Sequence, residues 1–181
     1  MSKFNYAYGN EVNYTIKKLS EKNKAYTENF DCGNEEINDY LKNKAIDDDI
    51  GVTYLVIDEF NAVAGYCTIA CSGITHKYQN NIRTIPSIEI RYFAIDSKLQ
   101  KLQYDKTDIH YYFSDYVMSE FMYKCSEIAE NIIAARYIIL YSVENAVKFY
   151  TRLGFCDFIE FYEPNQYRYI DGCKPMYIEI P

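Results

Sequence analysis

The sequence predicts a mixed α/β fold, a sheet flanked by helices, with residues 1–181 forming one domain. Three observations carry this expectation. Strand and helix signals follow the order β-α-β-β-β-α-β-α-β-β, the pattern of a sheet covered by helices. The 181 residues suffice for one domain with a core and are too few to favour two. No internal repeat, low-complexity tract or linker rich in Pro, Gly or Ser interrupts the chain.

Residues 12–19 read as the first strand. A helix is expected over about 34–46: Asn34 can cap it, Glu35 and Glu36 suit its positive end, and Ile37, Tyr40, Leu41 and Ala45 form one apolar stripe. Strands follow near 52–58 and 62–71, separated by the polar turn Glu59–Asn61. The stretch 73–87 reads as irregular, with Gly73 and Pro86 as breakers, and 88–95 as a strand rich in β-branched and aromatic residues. A long helix is expected over about 110–130, where Phe113, Val117, Phe121 and Cys125 share a stripe that Met118, Met122 and Ala129 widen. Residues 136–141 read as a buried strand, Ser142 as the cap of a helix over 143–153, and Gly154 as its stop. Strands near 155–161 and 174–180 complete the chain.

Composition excludes several classes. A 49% hydrophobic and 25% charged chain is globular rather than disordered. The formal charge of −7 sets net repulsion against a polyanion, and the lysines at 17, 18, 22, 24, 42 and 44 are diluted by neighbouring acids, so nucleic acid is not an expected partner. Six scattered cysteines without a Cys-x-x-Cys pair, and only two histidines, His76 and His110, supply no metal cluster. Free thiols in a reducing compartment, no apolar signal core and no run of membrane-spanning length lead to an expectation of a cytoplasmic protein with no membrane partner.

Three local features, in this order, carry a resemblance. Phe30-Asp31-Cys32-Gly33 leads into Glu36-Ile37-Asn38-Asp39-Tyr40-Leu41; the strand Glu89-Ile90-Arg91-Tyr92-Phe93-Ala94-Ile95-Asp96 follows; and Phe149-Tyr150-Thr151-Arg152-Leu153-Gly154-Phe155 comes after the strand at 136–141. Together they resemble the GNAT (GCN5-related) N-acetyltransferase superfamily over most of the chain, nearest to the branch that includes toxins acetylating aminoacyl-tRNA. The resemblance implies a central, mostly antiparallel twisted sheet of six to seven strands flanked by about four helices. It also implies acetyl-CoA as cosubstrate and transfer of its acetyl group to a primary amine of a small molecule or protein, and a homodimer is compatible with it.

Amine attack on a thioester must shed a proton, and the departing thiolate gains from receiving one. A tyrosine hydroxyl with a reference pKa of about 10 can protonate a thiolate whose conjugate acid lies near about 8.5. The resemblance assigns that general-acid position to Tyr150, although Val143, Ala146, Val147 and Tyr150 also follow the period of a helix facing a core. It likewise places a general base at Glu89. Burial in a sheet would make that carboxylate a better base, whereas Arg91, two residues on, would pair with it and make it a weaker one.

The donor would lie along Phe93, Ala94 and Ile95 and reach the segment Gln100, Lys101, Leu102, Gln103, Tyr104 and Asp105. Here the sequence departs from the family. Where the family carries Gln/Arg-x-x-Gly-x-Gly/Ala, both glycine positions hold side chains, Gln103 and Asp105, which oppose close approach of backbone to phosphate. Asp105 and Asp108 would repel the anion and Lys101 and Lys106 would offset part of that repulsion; Val143 stands where many members have Asn, with Asn145 or Ser142 as the available substitutes. Two other readings stay open: a catalytically weak GNAT-fold module binding a ligand or protein, and an aminoacyl-tRNA-acetylating toxin.

Overall fold

The computed structural model describes residues 2–5, 11–103, 111–164 and 172–180. The chain groups into two compact units, Met1–Thr68 with Tyr92–Met118, and Ile69–Arg91 with Ser119–Pro181.

In the first unit, strand β1 (Ser2–Asn5) pairs antiparallel with β2 (Glu11–Lys18), and β2 pairs antiparallel with β3 (Gly51–Asp58). The first residues of β4 (Val63–Tyr78) come next, followed by the last of β5 (Asn81–Ile95). Between β2 and β3 lie a 3₁₀ turn (Lys24–Thr27), helix α1 (Glu35–Asp39) and one π turn (Tyr40–Lys44). Asn34 caps α1 as expected, its Oδ1 accepting the Ile37 N–H at 3.2 Å. The expected single helix over 34–46 is thus an α turn that widens into a π turn, with Tyr40 accepting from the Ala45 N–H at 2.8 Å. Its inward residues Tyr40 and Leu41 join Leu55, Ile57, Tyr66 and Ala94 in one buried cluster.

The second unit holds the rest of β4 and β5, then β6 (Tyr137–Ser142), β7 (Cys156–Asp157), β8 (Tyr162–Glu163) and β9 (Lys174–Glu179). β6 and β9 pair antiparallel, as do β7 and β9, and β4 and β8. The β5–β6 pair is parallel, Ser87↔Tyr137 through Ile90↔Leu140. Helix α2 (Phe113–Asn131) contributes its first turns to the first unit and the remainder to the second, and α3 (Val147–Arg152) belongs to the second.

The fold class is the expected one, a mostly antiparallel sheet with flanking helices, and the described residues hold nine strands and three α-helices. Residues 73–87, expected to be irregular, are instead the outer part of the β4–β5 hairpin. Gly73 is no breaker: a Cβ there would stand 2.5 Å from Thr84 Cγ2 and 3.2 Å from the Ile85 carbonyl oxygen, so the glycine permits close strand approach. Pro86 donates no N–H, but its carbonyl accepts from Arg136 N at 2.9 Å. The strand expected over 155–161 is only two residues long, because the chain turns at Ile159 to enter β8. The expected helix over 143–153 divides into a 3₁₀ turn (Glu144–Ala146) and α3. Ser142 does not cap it; its Oγ donates to the Val143 carbonyl at 2.9 Å. His110, expected to open the long helix, lies outside the described residues. Among the described residues no helix is long and apolar enough to cross a membrane.

Candidate active site

The candidate donor residues of the first unit sit at the end of β5. Ala94 and Ile95 are buried and Phe93 is half-buried. Gly65 of β4 lets the strands close up: a Cβ there would lie 2.8 Å from the Ala94 carbonyl oxygen. Past Ile95 the chain makes a tight turn. Asp96 N–H donates to the Ala64 carbonyl, Asp96 Oδ1 accepts from Lys98 N–H at 3.0 Å, and Leu99 and Leu102 N–H close two further turns. Gln100 is exposed, and its Nε2 donates to the carbonyls of Cys32 at 2.8 Å and Ile95 at 3.0 Å. This side chain therefore staples the loop before α1 to the end of β5. Lys101 and Gln103 are exposed and Leu102 is half-buried, while Tyr104 and Asp105, with Lys106 and Asp108, lie outside the described residues.

Gln103 and Tyr112 form an antiparallel bridge, and Phe113 N–H donates to the Leu102 carbonyl at 2.9 Å. The chain thus returns beside its point of departure before α2 begins. The head of α2 is closed from within: Asp115, fully buried, accepts the Tyr112 N–H at 2.8 Å through Oδ2. This is the side-chain half of a capping box, with a carboxylate on the positive end of the helix dipole. The sequence reading passed over Asp115, although an Asp in the third position of an apolar-periodic helix is the signal for it.

A second polar group in this unit was also unforeseen. The Tyr40 hydroxyl donates to Asp48 Oδ2 at 2.5 Å, beside the buried contact of Thr53 Oγ1 and Thr68 Oγ1 at 2.7 Å. Burial, then the Asp48 carboxylate, pushes the Tyr40 phenol up to about 12. Nearby, the Gly33 N–H and the Asn38 amide hold the Asp31 carboxyl below its ordinary range, and burial pushes the Cys32 thiol up.

The candidate catalytic residues belong to the second unit. Glu89 is 3% exposed and stands opposite Ile139 in the parallel ladder, one residue from its end. The pleat places it on the sheet face of Tyr137 and Ile139, against which Phe158, Tyr162 and Tyr177 pack. Tyr137 and Tyr162 share a hydroxyl–hydroxyl hydrogen bond of 2.9 Å; burial and this bond push the Tyr162 phenol up to about 12. The ladder stops at Ile90↔Leu140, while β6 runs on through Tyr141 and Ser142, opposite Pro175 and Lys174 of β9.

β6 then delivers the chain to the 3₁₀ turn with exposed Asn145 and to α3 with Tyr150. Tyr150 is half-buried rather than sealed in a core, its ring edge-on to Phe149 at 5.0 Å and Phe155 at 5.7 Å. Its carbonyl accepts from Leu153 N–H at 3.0 Å and Phe155 N–H at 3.1 Å. That reversal needs Gly154 at φ +95°, where a side chain would be strained, and it buries Phe155 to 1% exposure. The Phe-Tyr-x-x-x-Gly-Phe element therefore anchors the helix end through Phe155 and leaves Tyr150 partly accessible.

No family model and no curated protein sequence matches the chain. Solved structures do match its fold. AtaT complexed with acetyl-methionyl-tRNAfMet is 18% identical, with a TM-score of 0.68 over 92% of this chain and 95% of that one. AtaTR bound with acetyl-CoA is 20% identical, with a TM-score of 0.64 over 92% and 93%. A GNAT family acetyltransferase from Staphylococcus aureus Mu50 is 14% identical, with a TM-score of 0.57 over 93% and 100%. The chain has the GNAT fold, related to that of the toxin-like acetyltransferases. The expectation that set nucleic acid aside on net charge is corrected to this extent: a protein of this fold is complexed with a charged tRNA, so the fold is compatible with such a partner. Total charge does not report where basic groups lie.

Proposed function

We propose that the chain is an N-acyltransferase that moves an acetyl group from acetyl-CoA to a primary amine, with residues 1–181 acting as one catalytic domain. The observation that carries this reading is the placement of Glu89, a carboxylate 3% exposed one residue before the parallel β5–β6 ladder ends. The likeness to acetyltransferases of the same fold supports it. Strand β6 outruns the ladder and leads directly to the helix of Tyr150.

In the proposed reaction the amine nitrogen bonds to the thioester carbonyl carbon and the C–S bond breaks. Glu89 takes the amine proton, directly or through water, and Tyr150 gives its hydroxyl proton to the departing thiolate. Phe93, Ala94 and Ile95 supply the strand that an acyl-pantetheine arm would follow. At the start of α2 the N–H groups of Tyr112 and Phe113 already have acceptors within the chain. Lys101, exposed beyond the end of β5, is assigned a polar contact with the rest of the donor.

A more specific acceptor, the α-amino group of an aminoacyl-tRNA, is favoured by the likeness to AtaT in its acetyl-methionyl-tRNA complex. The test is release of CoA thiol from acetyl-CoA with three acceptor classes: polyamines, lysine peptides and charged tRNA. Acceptor-dependent release with any of them supports the reading. No release, together with no calorimetric binding of acetyl-CoA or CoA at millimolar ligand, leaves a fold used as a binding module.

A further inference from the structure

Three strand ends lie side by side in the first unit, and a cavity opens on them. β3 closes on Asp58, β4 starts at Val63 and β5 stops at Ile95, with β4 between the other two. Asp58 N–H donates to the Ala62 carbonyl and Asp96 N–H to the Ala64 carbonyl, both at 3.0 Å, so the two aspartates flank the start of β4 from opposite sides. Two strand spacings set their backbones about 10 Å apart. Both line one cavity of about 480 Å³, within the range of about 300–1,000 Å³ for small-ligand pockets.

The lining has an apolar floor, two anionic arms and an aromatic rim. Phe30, Val63 and Ala64, all buried, form the floor. Each carboxylate is held through one oxygen. Asp58 Oδ1 accepts the Phe60 and Ala62 N–H groups at 2.9 and 2.8 Å, and Asp96 Oδ1 accepts the Lys98 N–H at 3.0 Å. The other oxygen of each accepts no hydrogen bond among the described residues. Phe60 keeps its ring 81% exposed at the rim, which Tyr26 shares. Lys98, also exposed, is the one cation of the lining among the described residues, against two carboxylates. Aromatic faces attract an organic cation and an apolar floor accepts its hydrocarbon stem, whereas an anion would meet both aspartates. Two anionic arms on either side of an apolar strand start fit two ammonium groups joined by a methylene chain. We infer that this cavity binds a linear diamine, one ammonium at Asp58 and the other at Asp96, with its methylenes over Val63 and Ala64. Neither aspartate takes part in the proposed acyl transfer, so the site is independent of that reading.

The test is calorimetric titration of the full chain with putrescine, cadaverine and butylamine, without acetyl-CoA, so that binding and not turnover is read. The better diamine is expected to bind at least about 10-fold more tightly than butylamine, because only a diamine engages both carboxylates. Asp58→Asn and Asp96→Asn remove the charge and keep the oxygen that accepts the turn N–H groups; each is expected to weaken the diamine by about 10-fold. Phe60→Ala changes a side chain 81% exposed and leaves the core intact; it is expected to weaken the diamine by about 3-fold. The comparison with butylamine needs no variant, so it decides the matter even where a substitution perturbs folding. No diamine binding at millimolar ligand, or butylamine bound as tightly as either diamine, would overturn the inference. So would a diamine affinity unchanged in both Asn variants.

Discussion

Tyr40 stacks on Tyr92 of β5 with ring centroids 3.8 Å apart and planes inclined by 17°, while its hydroxyl holds Asp48. One residue thus ties the π turn to the strand that carries the candidate donor residues and to the segment leading into β3. Tyr40→Phe keeps the stack and loses the hydrogen bond to a carboxylate. Denaturant unfolding at pH 7 is expected to show a loss of about 1.5–3 kcal/mol.

The same phenol sets an alkaline limit. Its folded pKa is raised to about 12 from the ordinary value of 10.0, so its contribution is complete below pH 10 and is lost as pH rises towards 12. The wild type should lose stability across that window more steeply than Tyr40→Phe. Parallel curves for the two proteins would remove this account.

Gly65 allows β4 to approach β5 where Ala94 and Ile95 lie. Gly65→Ala brings a methyl group to 2.8 Å from the Ala94 carbonyl oxygen, and backbone yields poorly. The expected destabilisation is about 1–3 kcal/mol by thermal or denaturant unfolding, with a higher KM for the donor. Full stability and unchanged KM would show that β5 shifts without consequence.

Some of this was legible in the sequence and some was not, for physical reasons. The Asn34 cap was legible because capping is local: a side-chain oxygen and an N–H three residues on suffice. Asn34→Ala should accordingly cost about 1 kcal/mol, checked by equilibrium unfolding. The turn at Gly154 was legible for the same reason, since a positive φ after a short helix selects glycine. The outer β4–β5 hairpin was not, because Gly73 serves a close approach to Thr84 and Ile85, residues on another strand. Gln100 was placed on the donor by the resemblance; its side-chain hydrogen bonds to the carbonyls of Cys32 and Ile95 depend on segments that only the fold brings to it. Asp115 was overlooked because its meaning depends on where α2 begins, at Phe113.

Glu89→Gln should remove the acidic limb of the pH–rate profile if Glu89 is the proton acceptor. An unchanged acidic limb would move that role to another group. The substitution keeps the side-chain size at a site 3% exposed, so circular dichroism should confirm that the variant folds before rates are compared.

The central claim, that this fold carries acyl transfer with Tyr150 as proton donor, is tested most directly by CoA thiol release. The measurement uses saturating acetyl-CoA and the best acceptor amine, with wild type and Tyr150→Phe side by side. Because Tyr150 is half-buried and its backbone makes the turn contacts, the variant is expected to fold like the wild type. Its kcat should fall by about 10²–10⁴-fold with little change in KM. Equal turnover by the two proteins would contradict the claim.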